Sequence, residues 1–216
     1  MSAALWGVIG SAVIETFEMT FVSGIFAYII GLPLGVVLSV TQTGAILENR
    51  AVNLILGFIV NVFRSIPFLI LLVVLIPVTR FITGSSIGTT ATIVPLTVGA
   101  IPIVARMVES SLNEVDRGII EAAQSMGASS LQTIVMFILP ESLPSLLSGA
   151  AINLATILGY SAMAGVIGGG GLGAIALNYG YYRYQTDVLL VTVAILVIIV
   201  QLIQETGIRL SVKKRH

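Results

Sequence analysis

The sequence predicts an all-α integral membrane protein with five spanning helices. Hydrophobic residues occupy 56% of the 216 positions and charged residues only 9%, whereas soluble domains carry roughly 25% charged residues. A chain with so few charges cannot cover its surface with solvated side chains. Its uncharged runs also reach the length of about 20 apolar residues that a helix needs to cross a bilayer. We therefore interpret residues 1–216 as a single transmembrane domain.

Charged and polar residues separate the uncharged runs and set the expected spans. The five spans are predicted at about 19–40, 58–79, 91–108, 146–167 and 188–204. Residues 1–18 are interrupted by Glu15 and Glu18, so we expect an interfacial segment there rather than a span. Pro67 is expected to kink the second span, and residues 80–90 should form a loop.

Glycines mark two special places in the spans. Gly31 and Gly35 offer a notch for close helix packing in the first span. The uncharged run from Ser142 to Tyr182 is twice the length of a span and must therefore break, and the glycines at 168–173 are where it can. We expect a wet loop over 168–186 that acts as a flexible turn on the outer face.

Sequence patterns for nucleotide binding and catalysis are absent or out of context. Gly168, Gly170 and Gly173 match the pattern G-x-G-x-x-G, but dinucleotide binding needs a strand before it, and a membrane span precedes it here. The chain has no Gly-Lys pair and hence no phosphate-binding loop, no cysteine, and a single histidine. We predict no enzyme activity, no catalytic residue, and no cofactor or metal in this chain. The balanced net charge gives no sign of nucleic-acid binding.

The one long polar interval, residues 109–141, predicts a compact elbow of two helices. Asn113 or Asp116 can cap the first helix. Gly127 can take the left-handed conformation that ends this helix. Whatever part of such a membrane protein meets the aqueous phase and a soluble partner is expected to lie here.

The second helix of the elbow should begin at Ser129 or Ser130, either of which can cap it. Pro140 and Pro144 are expected to limit its continuation, because proline has no backbone N–H for the helical ladder. The resulting elbow can dock its apolar side beneath the membrane bundle or present an apolar ridge to a partner's groove.

The elbow carries the residues by which the chain resembles a known family. Glu-Ala-Ala, three residues, Gly and a spacer closing on Leu-Pro resemble the cytoplasmic EAA loop of ABC importer permeases, where the membrane subunit grips its ATPase. The matching residues are Glu121, Ala122, Ala123, Gly127, Leu139 and Pro140. Phe137 stands where the family usually has an aliphatic residue. A Glu-Ala-Ala triplet alone is ordinary in helices, so the spacing of the whole set carries the resemblance.

Further segments resemble the methionine importers of this family over nearly the whole chain. They are residues 64–67, 93–99, 159–165, 168–173 and 178–184. The resemblance implies the type I ABC importer permease fold, a homodimer, two ATPase subunits that hold ATP and Mg²⁺, and an extracytoplasmic methionine-binding lipoprotein. It implies methionine import through the bacterial cytoplasmic (inner) membrane by alternating access. The alternatives are a permease for another amino acid or for a quaternary amine such as betaine, and an autonomous channel or facilitator.

Four residues are expected to line the translocation path: Arg64, Tyr160, Ser161 and Met163, with Met163 closing it on the outer side. For the last three, the alternative is close helix packing by small residues. For Arg64, the alternative is a side chain that snorkels to the bilayer interface. Asn153 is expected to form a hydrogen bond across the bundle.

Basic residues orient the chain, because cytoplasmic loops carry an excess of Lys and Arg. With the C-terminus in the cytosol and the N-terminus outside, the inner side holds Arg50, Arg106, Arg117, Arg209, Lys213, Lys214 and Arg215. The outer side holds only Arg80 and Arg183, and the elbow lies inside. Arg106 is also spaced to pair with Glu109 along one helix face.

Overall fold

The chain is helical along nearly its whole length in the computed structural model, which describes residues 3–213. In chain order the α-helices of this part are α1 (Ala3–Val40), α2 (Arg50–Ser65), α3 (Phe68–Val74), α4 (Ile76–Thr83), α5 (Thr89–Asn113), α6 (Arg117–Ser125), α7 (Ser130–Thr133), α8 (Leu139–Ala164), α9 (Gly171–Ile175) and α10 (Thr186–Lys213). Two further segments, Ile134–Ile138 and Ala176–Tyr181, are π-helical, and Gly165–Ile167 is a 3₁₀ turn. The all-helical prediction is confirmed.

Several of these helices are long and apolar enough to cross a membrane. They are Leu5–Val40, Thr89–Asn113, Ser130–Ile167 and Thr186–Lys213. α2 and α3 add a fifth candidate if this bent pair counts as one span. The last helix runs on to Lys213, past the predicted end of the fifth span at 204. Lys214 and Arg215, both expected on the inner side, lie outside the described residues.

The first helix is longer than predicted. The segment 1–18, which we expected to be interfacial, is from Ala3 onward part of α1, which continues without a break through this region. Two polar side chains in this region form hydrogen bonds to the start of α9. Glu15 Oε2 accepts a hydrogen bond from the N–H of Gly171 (2.7 Å), and Thr16 Oγ1 accepts one from the N–H of Leu172 (2.9 Å). These N–H groups begin α9 and have no acceptor within that helix.

The second predicted span is broken in the middle. The axes of α2 and α3 meet at 99°. Ile66, between them, is extended (φ −81°, ψ 122°), because the ring of Pro67 disfavours helical geometry in the preceding residue. The kink predicted at Pro67 is confirmed, as a sharp break. The loop expected at 80–90 is shorter than predicted, because α4 continues until the left-handed Gly84 (φ +77°) ends it.

The second helix of the elbow does not stop at its prolines. α7, the π-helical turn and α8 form one helical stretch from Ser130 to Ile167, so the expectation that Pro140 and Pro144 end the helix is wrong. The π turn lies directly before Pro140, and there the N–H of Leu139 bonds to the carbonyl five residues earlier. In a regular α-helix, the backbone N–H at position 140 would donate to a carbonyl in the preceding turn, but proline has no such N–H. The wider π turn accommodates this missing hydrogen bond, so the helix continues.

The glycine segment breaks the helix where it was predicted to. Gly168, Gly170 and Gly171 all have positive φ angles, between +70° and +85°, and the chain reverses there after α8. The rest of the expected loop at 168–186 is mostly helical, since α9 and the second π-helical segment occupy it. The prediction of a loop is therefore right for the turn and wrong for the segment that follows.

The core of the bundle lies between α1, α5 and α8. The close-packing notch is confirmed: a Cβ atom at Gly35 would lie 2.5 Å from the carbonyl oxygen of Ala105, and one at Gly31 would lie 2.8 Å from Val104. The largest fully buried side chains of the described part of the chain include Met19, Leu38, Leu96, Val104 and Ile157, which belong to α1, α5 and α8. The two backbones can approach this closely only because α1 has no side chain at these two positions.

Two long-range hydrogen bonds join the helices at one end of the bundle. Ser39, near the end of α1, donates to Asn113 Oδ1 at the end of α5 (2.7 Å). Ser211, near the end of α10, donates to the backbone oxygen of Pro144 near the start of α8 (2.7 Å). The ends of α1, α5 and α10 and the start of α8 therefore lie together with α6 and α7, and we call this the elbow end.

Candidate functional site

The elbow forms as the sequence predicts, and the structure selects one cap for each helix. Asp116 caps α6 by accepting a hydrogen bond from the N–H of Gly118 (2.6 Å). Gly127 follows α6 in the left-handed conformation (φ +82°). Ser129 caps α7 through a reciprocal capping box, in which Gln132 Oε1 accepts from the N–H of Ser129 (2.8 Å).

The elbow presents an apolar surface at the elbow end of the bundle. Ala123 is fully buried against the bundle, whereas Glu121, Ala122, Gly127 and Pro140 are exposed and Leu139 is half-buried. On both sides of the Gly127 turn, large apolar side chains are also exposed: Met126, Leu131, Val135 and Met136, between 51% and 71%. We call these four residues the elbow patch. An apolar patch of this kind on a polar end of a molecule marks an interaction site.

Glu121 lies beside a cavity of about 470 Å³ between α6 and the loop that follows α1. About half of the residues that line it have polar side chains, among them Gln42, Asn113, Arg117 and Gln124. In the described part of the chain, neither of the two ion pairs involves Glu121. Its carboxylate therefore remains available to a donor on another polypeptide.

A polar network connects this cavity to α2. Arg106 and Glu109 form the predicted ion pair at 2.6 Å. Arg106 Nη2 also donates to Asn61 Oδ1 (2.8 Å) and to the carbonyl oxygen of Gly57 (3.0 Å), both on α2. Glu109 Oε1 accepts from Gln42 Nε2 (2.8 Å), and Gln42 lines the elbow cavity. We call Asn61, Arg106, Glu109 and Gln42 the polar network.

Two of the four predicted path residues lie together and two do not. Arg64 and Tyr160 line one cavity of about 200 Å³ at the bend between α2 and α3. Ser161 is buried, and its hydroxyl donates to the carbonyl of Leu158 in the same helix (2.7 Å). Met163 is 46% exposed and does not line this cavity. The structure therefore separates Ser161 and Met163 from the other two.

Asn153 forms the predicted contact across the bundle, because its Nδ2 donates to the hydroxyl of Tyr28 on α1 (3.2 Å). The partners Asn61 and Gln42 of the ion pair were not foreseen. They lie 45 and 67 residues away along the chain from Arg106 and Glu109, respectively. Only their polarity within or beside apolar runs marked them in the sequence.

Known proteins of similar sequence and structure identify the family of this chain. The family described as binding-protein-dependent transport system inner membrane component matches residues 31–206. The chain belongs to this family. A protein of Vibrio cholerae named probable D-methionine transport system permease protein MetI is 52% identical to this permease over 193 residues, which cover 89% of this chain and 86% of that protein. The Escherichia coli K12 protein named D-methionine transport system permease protein MetI is 53% identical over 165 residues, 76% of each chain.

Solved structures give the same fold. A chain of the MetNI methionine ABC transporter, described in inward-facing conformations, is 50% identical and superposes with a TM-score of 0.97 over 99% of both chains. An amino acid ABC transporter crystallised with histidines matches with a TM-score of 0.78 at 22% identity, over 98% of this chain and 95% of that one. The second likeness shows the fold alone. The permease therefore has the type I ABC importer fold and is a transporter membrane component.

Proposed function

We propose that this permease is the membrane-spanning subunit of a methionine ABC importer. The observation that carries the proposal is its likeness to the MetNI methionine transporter, which extends over 99% of the chain at 50% identity. Relatives named as D-methionine permeases support the same substrate, including a Pasteurella multocida protein that is 45% identical over all 216 residues. The amino acid transporter at 22% identity supports no particular substrate.

The functional complex is a homodimer of this chain with two ATPase subunits, which bind ATP and Mg²⁺, and an extracytoplasmic methionine-binding lipoprotein. It lies in the bacterial cytoplasmic membrane, with the elbow end and the C-terminus in the cytosol and the N-terminus outside. The bond between Ser211 and Pro144 supports this arrangement, because it holds the end of α10 beside the elbow. The positive-inside distribution of Lys and Arg then sets the side.

Each ATPase receives the elbow patch in a groove, and Glu121 orients the elbow through a charge-assisted bond. Ala122 and Gly127 are small and exposed, so that the groove can close over them. Movement of the ATPases on binding ATP carries α7 with it. Because α7 continues into α8 as one helical stretch to Ile167, displacement at the elbow reaches the region of the bend and the glycine turn.

Uptake of labelled L-methionine into proteoliposomes tests this proposal. The vesicles hold the permease with its co-purifying ATPase and binding protein, with betaine and other amino acids as competitors. We expect saturable, ATP-dependent uptake that only methionine-like compounds block. ATP-dependent uptake of a different solute would refute the substrate, and flux without ATP or partners would refute the importer.

A further inference from the structure

We infer that the cavity at the bend between α2 and α3 is a transient binding site for a neutral amino acid, with Arg64 as the group that holds its carboxylate. This inference rests on the proposed function, since it locates a step of the transport path. The cavity has a volume of about 200 Å³ and is formed by three separate parts of the chain: the α2–α3 bend, α5 and α8. We call it the bend cavity.

Two polar groups at the bend cavity have no partner in the described part of the chain. No carboxylate lies within ion-pair distance of the Arg64 guanidinium, and the hydroxyl of Tyr160 has no hydrogen-bond acceptor or donor. Arg64 is exposed in the single chain, whereas Arg106 is half-buried and bonded to Glu109 and Asn61. An arginine at membrane depth normally pairs or faces a wet cavity that is part of a transport path. A guanidinium left open in this way suits a carboxylate, which it can hold with two parallel hydrogen bonds.

Part of the wall of the bend cavity is aromatic. The rings of Phe68 and Tyr160 stack in parallel with centroids 4.3 Å apart. Gly99 allows Phe68 to lie there, because a Cβ atom at this position would approach its ring to 3.3 Å. Aromatic rings make favourable contacts with thioether and aliphatic groups. This wall therefore suits an apolar side chain such as that of methionine.

The broken helix supplies the remaining group. α2 stops at Ser65. Among its last carbonyl groups, that of Phe63 accepts a hydrogen bond from the N–H of Ile66 (3.3 Å), whereas those of Arg64 and Ser65 accept no backbone N–H from the described residues. The C-terminal end of a helix is favourable for a cation, and discontinuous helices form substrate sites in other classes of transporter. An ammonium group can bind at this end while the carboxylate binds Arg64. No acidic side chain lines the cavity, so the site favours neutral over cationic amino acids.

Photolabelling with a diazirine analogue of methionine tests the site. The analogue is applied to the wild-type complex of permease and ATPase in nanodiscs, and the labelled residues are mapped by mass spectrometry, which separates this cavity from any site on the ATPase. We expect label on residues of the bend cavity. Excess methionine should remove this label, whereas methioninamide, which lacks the carboxylate, should compete about tenfold less well.

The variants Arg64→Gln and Arg64→Lys show whether Arg64 is the carboxylate partner. Arg64→Gln should lower labelling about tenfold and remove the difference between the two competitors, whereas Arg64→Lys should retain part of both. Arg80→Gln, which removes an exposed arginine outside the cavity, is the matched control and should behave as wild type. Co-purification with the ATPase verifies that each variant is assembled.

The inference is overturned if no label maps to the bend cavity in wild type, or if Arg64→Gln discriminates methionine from methioninamide as wild type does. Either result, together with normal ATP-driven methionine uptake by the wild-type complex, would remove the site and leave the proposed function standing. Failure of wild-type uptake would instead refute the proposed function itself.

Discussion

Breaking the ion pair in the polar network should be costly, because the pair is mostly shielded from solvent. The side chains of Arg106 and Glu109 are 24% and 10% exposed. Arg106→Leu removes the ion pair and the bonds to Asn61 and Gly57, and it leaves Glu109 with Gln42 alone. Removing one partner of a buried pair costs about 3–5 kcal/mol. Since Arg106 keeps some contact with solvent, we expect the lower end, about 3 kcal/mol.

A double-mutant cycle measures how much of this cost belongs to the pair. Unfolding in mixed detergent micelles, followed by circular dichroism, gives the free energy for Arg106→Leu, Glu109→Leu and the double variant. The double variant should be about 2 kcal/mol less destabilised than the sum of the single variants, because it leaves no unpaired charge.

The exposed pair Arg209 and Glu205 provides a matched control. It has nearly the same separation, 2.7 Å, with side chains 77% and 58% exposed. We expect its cycle to give a coupling below about 0.5 kcal/mol, since an exposed pair at this spacing on a helix contributes little. Equal coupling energies in the two cycles, or additive effects at Arg106 and Glu109, would refute the reasoning.

Two further predictions concern packing and the glycine turn. Gly35→Ala should lower the melting temperature by several degrees, because its Cβ would lie 2.5 Å from the carbonyl oxygen of Ala105. Gly10→Ala is the control and should not lower it, since the space around Gly10 is open. Equal melting temperatures of the two variants would contradict the close approach of α1 and α5. Glu15→Ala should speed hydrogen exchange at Gly171, because the N–H loses its acceptor. Glu15→Gln keeps an acceptor oxygen and should exchange more slowly than Glu15→Ala; unchanged exchange in both variants would show that this bond does not hold the turn.

The sequence predicts those parts of the fold that depend on neighbouring residues. The left-handed Gly127, the caps at Asp116 and Ser129, and the break at Pro67 follow from local conformational preferences, and the structure has all of them. The pair Arg106 and Glu109 follows from its spacing on one helix. In each case the residues that decide the structure lie within a few positions of one another.

Predictions fail where a distant contact compensates for a local disadvantage. Glu15 suggested that the first long helix begins only after residue 18, yet α1 includes Glu15, whose carboxylate accepts from the N–H of Gly171, 156 residues away. Pro140 suggested a helix end, but a π-helical turn before it allows the helix to continue. Of the four residues expected along one path, Arg64 and Tyr160 meet at the bend cavity, whereas Ser161 and Met163 do not line it. Composition and local spacing do not show which residues far apart in the sequence come into contact.

The central claim is that the elbow couples an ATPase to transport, and Gly127→Asp tests it most directly. Gly127 is exposed at φ +82°, and a Cβ atom there would have no other atom within 4 Å, so aspartate has room within the chain and adds bulk and charge to the docking surface. It also adds the backbone strain that a side chain has in the left-handed region, and the control must carry the same strain. Gly84→Asp is the matched control, since Gly84 has φ +77° and equally open space away from the elbow. We expect Gly127→Asp to insert normally but lose ATP-driven methionine uptake in proteoliposomes, whereas Gly84→Asp transports as wild type. Unchanged ATP-driven uptake by Gly127→Asp would contradict the account.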